Sequence, residues 1–185
     1  MIALDYCDVK PAEGKGMGLF AKRFIPKGTM VTGECDKYMV IPSEHFSRLT
    51  RQEQESMLHF CVTGKDGSVL VLTDEGRFMN HSCNANILET GFGFDIVVKD
   101  ITEGEELTAD YRQFYDHLYG KAPLACTCSE KPHIVVFSDK LQASMRGIWN
   151  SKIMEALLLV DKVPQPLSRI VLGKKFARKE RLLQH

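Results

Sequence analysis

Arg77-Phe78-Met79-Asn80-His81-Ser82-Cys83-Asn84-Ala85-Asn86 is the stretch on which the reading of this 185-residue chain turns. Taken alone, an Asn-His pair in a polar loop reads as two side chains satisfying local hydrogen bonds. This stretch does not stand alone. Gly104-Glu105-Glu106-Leu107-Thr108-Ala109-Asp110-Tyr111 follows it, and Lys15-Gly16-Met17-Gly18-Leu19-Phe20 precedes it. The glycines at 14, 16 and 18 do not have the G-x-G-x-x-G spacing of a dinucleotide fingerprint, and no Gly-Lys-Ser/Thr follows to make a phosphate loop. By themselves they mark an ordinary turn.

In this order the three elements resemble the SET-domain family of protein lysine methyltransferases, over roughly residues 9 to 120. The resemblance implies a mostly β (α+β) fold of small curved sheets. It also implies a knot-like crossing in which later chain passes beneath an earlier loop, a connection rare among proteins. The implied reaction moves a methyl group from S-adenosyl-L-methionine to a lysine side chain. Lys15, Gly16, Met17 and Gly18 would lie against that cofactor, glycines suiting the task because no Cβ blocks close approach. Asn80 and His81 would hold its amino-acid and adenine ends, Asn offering both a donor and an acceptor to a zwitterion. Ala85 departs from the family pattern, where proline is common, and this touches no catalytic group.

Tyr111 is the residue that the resemblance makes catalytic. A lone Tyr after Asp is ordinarily a packed aromatic with a bonded hydroxyl. A phenol is useful here because the attacking amine must be neutral. With a lysine pKa near 10.4, roughly one side chain in a few thousand is deprotonated at pH 7, a deficit of about 4–5 kcal/mol. An apolar channel and a nearby sulfonium both lower that pKa. Tyr111 would orient the lone pair and hold the methyl through weak C–H···O contacts. Ala109 occupies a position where many family members carry Phe or Tyr, so with Tyr38 it is assigned to the substrate channel. A small side chain there leaves room for more than one methyl group, unless Phe92, Phe94 or Tyr38 fills the gap. Phe114, Tyr115 and Tyr119 are candidates to stack on adenine, though core packing is the commoner fate of such rings.

Cys126-x-Cys128 falls where the family often places a C-x-C-x4-C segment, and His133 stands at the third position of that spacing. In the family these ligands join the cysteine of the Asn-His-Ser-Cys element, here Cys83. Cys83, Cys126, Cys128 and His133 would form a Cys3His zinc site. Ser129 replaces the usual glycine and nothing further matches, so a reduced, metal-free C-x-C loop is the favoured reading and zinc the alternative. The chain has six cysteines and no secretory signal, which favours reduced thiols or metal ligands over disulfides.

The two halves differ in charge. Residues 1–120 hold 19 acidic against 12 basic side chains, and residues 121–185 hold 5 against 12, giving 12 − 19 = −7 and 12 − 5 = +7. An acidic body suits a basic, lysine-containing protein segment through electrostatic steering. The expected division is a SET domain at 1–120, then a post-SET-like loop, an amphipathic helix and a basic tail at 121–185. Lys174, Lys175, Arg178, Lys179 and Arg181 in that tail suit nucleic-acid contact or plain solubility. No stretch reaches the roughly 20 apolar residues of a membrane helix, so a cytoplasmic or nuclear location is expected and no membrane partner. Oligomeric state is not legible.

Local patterns add detail. Residues 42–60 read as helical, with Thr50-Arg51-Gln52-Glu53 as a capping box. Val69 to Leu72, Phe94 to Lys99 and Ile134 to Phe137 read as strands, and 123–132 as a Cys-containing loop. From 139 to 160 the spacing of Leu141, Met145, Ile148, Trp149, Ile153 and Ala156 predicts a helix with a docking face. The histone tail is the first expected target. Another protein, such as a ribosomal one, or a catalytically idle SET-like binding module, is the alternative.

Overall fold

A computed structural model describes residues 5–33, 38–58, 61–63, 67–117, 123–128 and 131–167. Two short strands, β1 (Cys7–Ala12) and β2 (Gly16–Ala21), form a hairpin. β3 (Met30–Gly33) and β4 (Tyr38–Ile41) follow, then α1 (Ser43–Phe46), α2 (Arg51–Leu58), β5 (Cys61–Thr63) and β6 (Val69–Leu72). A 3-10 turn at Glu75–Phe78 leads into β7 (Asn80–His81), β8 (Ile87–Glu89), β9 (Phe94–Val97) and β10 (Glu106–Ala109). After a kinked 3-10 segment, Tyr111–His117, come β11 (Leu124–Cys126), β12 (His133–Val135) and α3 (Asp139–Leu157).

The strands make three sheets among the described residues. The main one runs β1-β2-β10-β8-β9-β3, with β7 also paired to β10; β4-β6-β5 and β11-β12 form the others. Most pairs are antiparallel, but β10 lies parallel to β7 and β8. That parallel placement puts the end of β10 beside the Asn80–Cys83 segment. Ser82 N donates to Ala109 O at 3.0 Å and Arg112 Nη2 to Cys83 O at 2.8 Å, so the later chain runs against the earlier loop. The mostly β fold with a C-terminal helix is as the sequence implied.

Residues 42–60 are not one helix. Pro42 precedes the single turn α1, and the chain restarts at Thr50. There the Thr50 Oγ1 accepts from Glu53 N at 3.3 Å while Glu53 Oε2 accepts from Thr50 N at 2.8 Å. This reciprocal pair satisfies backbone donors that the first turn leaves free. Within the expected loop at 123–132, Leu124–Cys126 is a short strand, β11, whose Cys126 pairs across to His133 of β12.

One core fills the space under β2, β7, β8 and β10, with Leu19, Ile25, Ile87, Ile101 and Leu107 wholly buried. A second joins β3, β8 and β9 to α3: Met30, Leu88, Phe94 and Ile96 pack with Trp149, Ile153 and Ala156. The α3 stripe is therefore a docking face, as its spacing predicts, except at Ile148, which is exposed. Each such fully buried apolar side chain contributes about 1.5–3 kcal/mol. Beyond the helix, Gln165 caps the sheet's edge: its Oε1 accepts from Met30 N at 2.9 Å and its Nε2 donates to Gly28 O at 2.8 Å. No helix of the described residues is long and apolar enough to cross a membrane. The basic residues from Lys174 to Arg181, and Tyr119, lie outside the described residues.

Candidate active site and metal centre

The turn between β1 and β2 supplies the first wall. Lys15 Nζ pairs with Glu106 Oε2 at 2.8 Å, and Asn80 Nδ2 donates to Met17 O at 2.9 Å and to Glu106 Oε1 at 2.8 Å. Both acceptors fix which end of the Asn80 amide is nitrogen. Gly16 has φ +81°, a backbone conformation that glycine adopts without cost. Gly18 has no room for more: a Cβ there would sit 2.8 Å from Glu106 Oε1 and 3.0 Å from Asn80 Nδ2. Lys15 and Asn80 thus share one carboxylate, Glu106, which lies beside Gly18 and had no role in the reading of the residues.

His81 and Tyr111 form the second group. Tyr111 N donates to His81 Nδ1 at 3.1 Å, and the rings lie 5.3 Å apart. Burial draws His81 down to about 4, against an opposing pull from Asp110, so the ring is neutral at pH 7. The Tyr111 hydroxyl donates to Met79 O at 2.8 Å. Burial, helped by the nearby Glu106 charge, pushes Tyr111 up to about 12. It is therefore a neutral, fixed phenol across the physiological range and takes no proton from another group there. Ala109, buried in β10, is bridged to His81 and Ile87. Tyr38 begins β4, paired with Leu72 of β6, and its side chain, like that of Tyr115, lies outside the described residues. Phe114 packs on the main core.

Behind Tyr111 sits a buried polar network. Asp110 Oδ1 accepts from Arg112 Nε at 2.7 Å, and Oδ2 accepts from Arg112 Nη2 at 2.6 Å and Trp149 Nε1 at 2.9 Å. The bidentate carboxylate raises the Arg112 pKa further. Asn86 bonds strand β10 from the side, its Oδ1 accepting from Thr108 N at 2.8 Å and its Nδ2 donating to Glu106 O at 2.8 Å. The motif pointed to Asn86 only by position. For Asp110, Arg112 and Trp149 the one signal available was a charged pair spaced i, i+2 beside the Tyr.

Cys83, Cys126, Cys128 and His133 converge. Their ligand atoms all lie within 4.8 Å of one another. Cys83 Sγ is 3.9 Å from Cys126 Sγ and 3.4 Å from His133 Nε2. A tetrahedron with Zn–S of about 2.3 Å and Zn–N of about 2.0–2.1 Å has edges of about 3.8 and 3.5 Å, so the Cys83–Cys126 and Cys83–His133 separations match zinc, and the donor set fits it in chemistry. In the metal-free set, burial pushes the Cys83 thiol up to about 12. Burial also opposes ionisation of Cys128, but hydrogen bonds from Cys126 and Cys83 outweigh it and lower its pKa.

The model of the SET domain family matches residues 16–112, the part that carries both walls of this site. The chain belongs to the SET domain family. It is 32% identical over 167 residues to "Histone-lysine N-methyltransferase, H3 lysine-36 specific" of Schizosaccharomyces pombe, covering 84% of this chain and 20% of that protein. It is 32% identical over 131 residues to the human "Histone-lysine N-methyltransferase SETD2", covering 63% of this chain and 5% of that one. Among solved structures, the methyltransferase domain of human SETMAR matches with a TM-score of 0.43 and 25% identity, over 71% of this chain and 56% of that chain. The chain spans about a fifth of the length of the first two curated relatives, 20% and 17%.

Proposed function

We propose that this chain is the catalytic domain of an S-adenosyl-L-methionine-dependent protein-lysine N-methyltransferase whose target is a histone or another lysine-rich basic segment. The observation that carries the reading is Tyr111, a half-buried phenol pinned by Met79 O through its hydroxyl and by His81 through its backbone. When bound, S-adenosyl-L-methionine supplies a methyl group on a sulfonium, open to in-line displacement by an amine. Asn80 suits the cofactor's amino-acid end. Its N–H groups are committed to Met17 and Glu106, leaving Oδ1 to accept from an ammonium. The Lys15–Gly18 turn and His81 complete the cofactor wall. Tyr111 works by orientation: its hydrogen is held by Met79, so its oxygen lone pairs remain to align an amine and its methyl group.

The acidic balance of residues 1–120 supports a basic partner by steering. The lysine-36 specificity in the name of the Schizosaccharomyces pombe relative makes the histone H3 tail the first substrate to assay. Cys83, Cys126, Cys128 and His133 are proposed to hold zinc as a closed structural site, tying the β11-β12 hairpin to the loop after β7. Labelled-methyl transfer to separate histone and cell-extract substrates, with Tyr111→Phe as control, tests the reading. Transfer to histone supports it, and transfer to extract proteins alone redirects the target. Cofactor binding with no turnover on either mixture would make this an idle SET-like binding module.

A further inference from the structure

We infer that the His81 side chain is a positioning residue that joins the metal centre to the backbone of Tyr111, donating from Nε2 to the Cys83 sulfur while accepting the Tyr111 N–H at Nδ1. The inference rests on the proposed metal site and adds to it a residue that is not a ligand. Its starting point is a donor with no alternative role. A backbone N–H only donates, and Tyr111 N lies 3.1 Å from His81 Nδ1. With Nδ1 as the acceptor, a neutral imidazole carries its hydrogen on Nε2, and the Ala109 carbonyl, which also bonds the ring, is the acceptor that competes with sulfur for a ring hydrogen. Nε2 lies 3.3 Å from Cys83 Sγ, within reach of an N–H···S bond. His81 is 6% exposed, so little water competes for either end.

The arrangement has the form of a supporting shell around a metal. Hydrogen bonds to coordinating groups orient them and tune their charge, and their loss typically costs about 10–100-fold in metal affinity. Cys83 is held twice over: its sulfur by His81 and its carbonyl by Arg112 Nη2 at 2.8 Å. The proposed set already supplies the four donors that a structural zinc site takes, so His81 stays outside the coordination sphere and acts through Cys83. One ring thus touches a ligand on one side and the candidate catalytic Tyr on the other. Whatever shifts Cys83 is transmitted to the start of the Tyr111 segment.

Two substitutions separate the ends of the ring. His81→Gln extends an N–H to about the Nε2 position and keeps the bond to sulfur. His81→Asn places an oxygen near Nδ1, keeping the acceptor for Tyr111 and losing the donor to sulfur. Zinc affinity is read on the whole purified chain by chelator competition, and cobalt substitution reports the thiolate-to-metal absorption. The expected result is a zinc affinity lowered about 10–100-fold in His81→Asn and largely restored in His81→Gln. Wild type and both variants holding zinc equally would overturn the link and leave the metal site standing. Wild-type protein that takes up neither zinc nor cobalt would remove the metal site and the link with it. Should either variant fail to fold, nitrogen-15 histidine spectra of the zinc-loaded wild type decide. An Nε2–H tautomer at His81 supports the link, and an Nδ1–H tautomer overturns it.

Discussion

The indole nitrogen of Trp149 donates a 2.9 Å hydrogen bond to Asp110, joining α3 to the residue just before Tyr111. The partner is a carboxylate that is only 2% exposed and already paired with Arg112. Hydrogen bonds to charged groups contribute about 1.5–3 kcal/mol. Trp149→Phe keeps most of the packing and should lower stability by that amount in urea unfolding. A change under about 0.5 kcal/mol, the ordinary range of surface substitutions, would show that the bond is idle. Asp110→Ala should cost more, about 3–5 kcal/mol, because it strands the Arg112 charge.

Tyr111→Phe removes one oxygen and leaves the ring against His81. Turnover should fall on the order of 10²-fold, by analogy with deleting a positioned polar group. Cofactor affinity, measured by calorimetry, should hold. Full activity in that variant would take Tyr111 out of the mechanism.

The phenol's position on the pH scale gives a separate expectation. With Tyr111 pushed up to about 12, it stays protonated as pH rises from 7 to 10. The reacting amine meanwhile loses its proton, so the rate should climb about tenfold per pH unit until the bound lysine's own pKa, then level off. A descending limb between pH 8 and 10, traced to the phenol with Tyr111→Phe, would contradict its burial.

Ala109 makes the channel question concrete. It is buried in β10, where its carbonyl accepts from Ser82 N, and its side chain is only a methyl. More than one methyl group should therefore be added to each target lysine. Ala109→Phe should shift products toward monomethyl-lysine. Mass spectrometry after exhaustive reaction checks both, and a wild-type product limited to one addition would discard the idea.

Gly18→Ala tests the cofactor wall without touching a polar group. The new Cβ would crowd Glu106, Ala12 and Asn80 at 2.8–3.0 Å, and overpacking of this kind costs about 1–3 kcal/mol. Because the crowded atoms include the Asn80 amide nitrogen and one of its two partners, Glu106 Oε1, cofactor affinity should fall along with the melting temperature. Unaltered binding would separate the glycine from the site.

Local chemistry was legible in the residues, and long closures were not. The Thr50–Glu53 box works because its partners are three residues apart and need nothing else. Cys83 could be grouped with Cys126, Cys128 and His133 through the spacing that the family resemblance implies, not through any local preference of those segments. Lys15 and Glu106 are 91 positions apart, and Asp110 and Trp149 are 39 apart. Such pairs exist only once the sheet has closed, so propensity and periodicity carry no trace of them. Residues 42–60 went the other way: their composition favours helix throughout, but Pro42 and the fresh cap at Thr50 divide the run into α1 and α2.

Gln165 substitutes for a neighbouring strand. By answering Met30 N–H and Gly28 C=O with one side-chain amide, it closes the rim of the sheet while α3 covers the apolar surface beside it. A fragment stopped at the end of the family match, residue 112, would carry all the residues proposed to do chemistry. It would also leave Met30, Leu88, Phe94 and Ile96 bare next to an open strand, the usual recipe for association between chains. The length of polypeptide needed to stay soluble is therefore expected to exceed the length proposed to react.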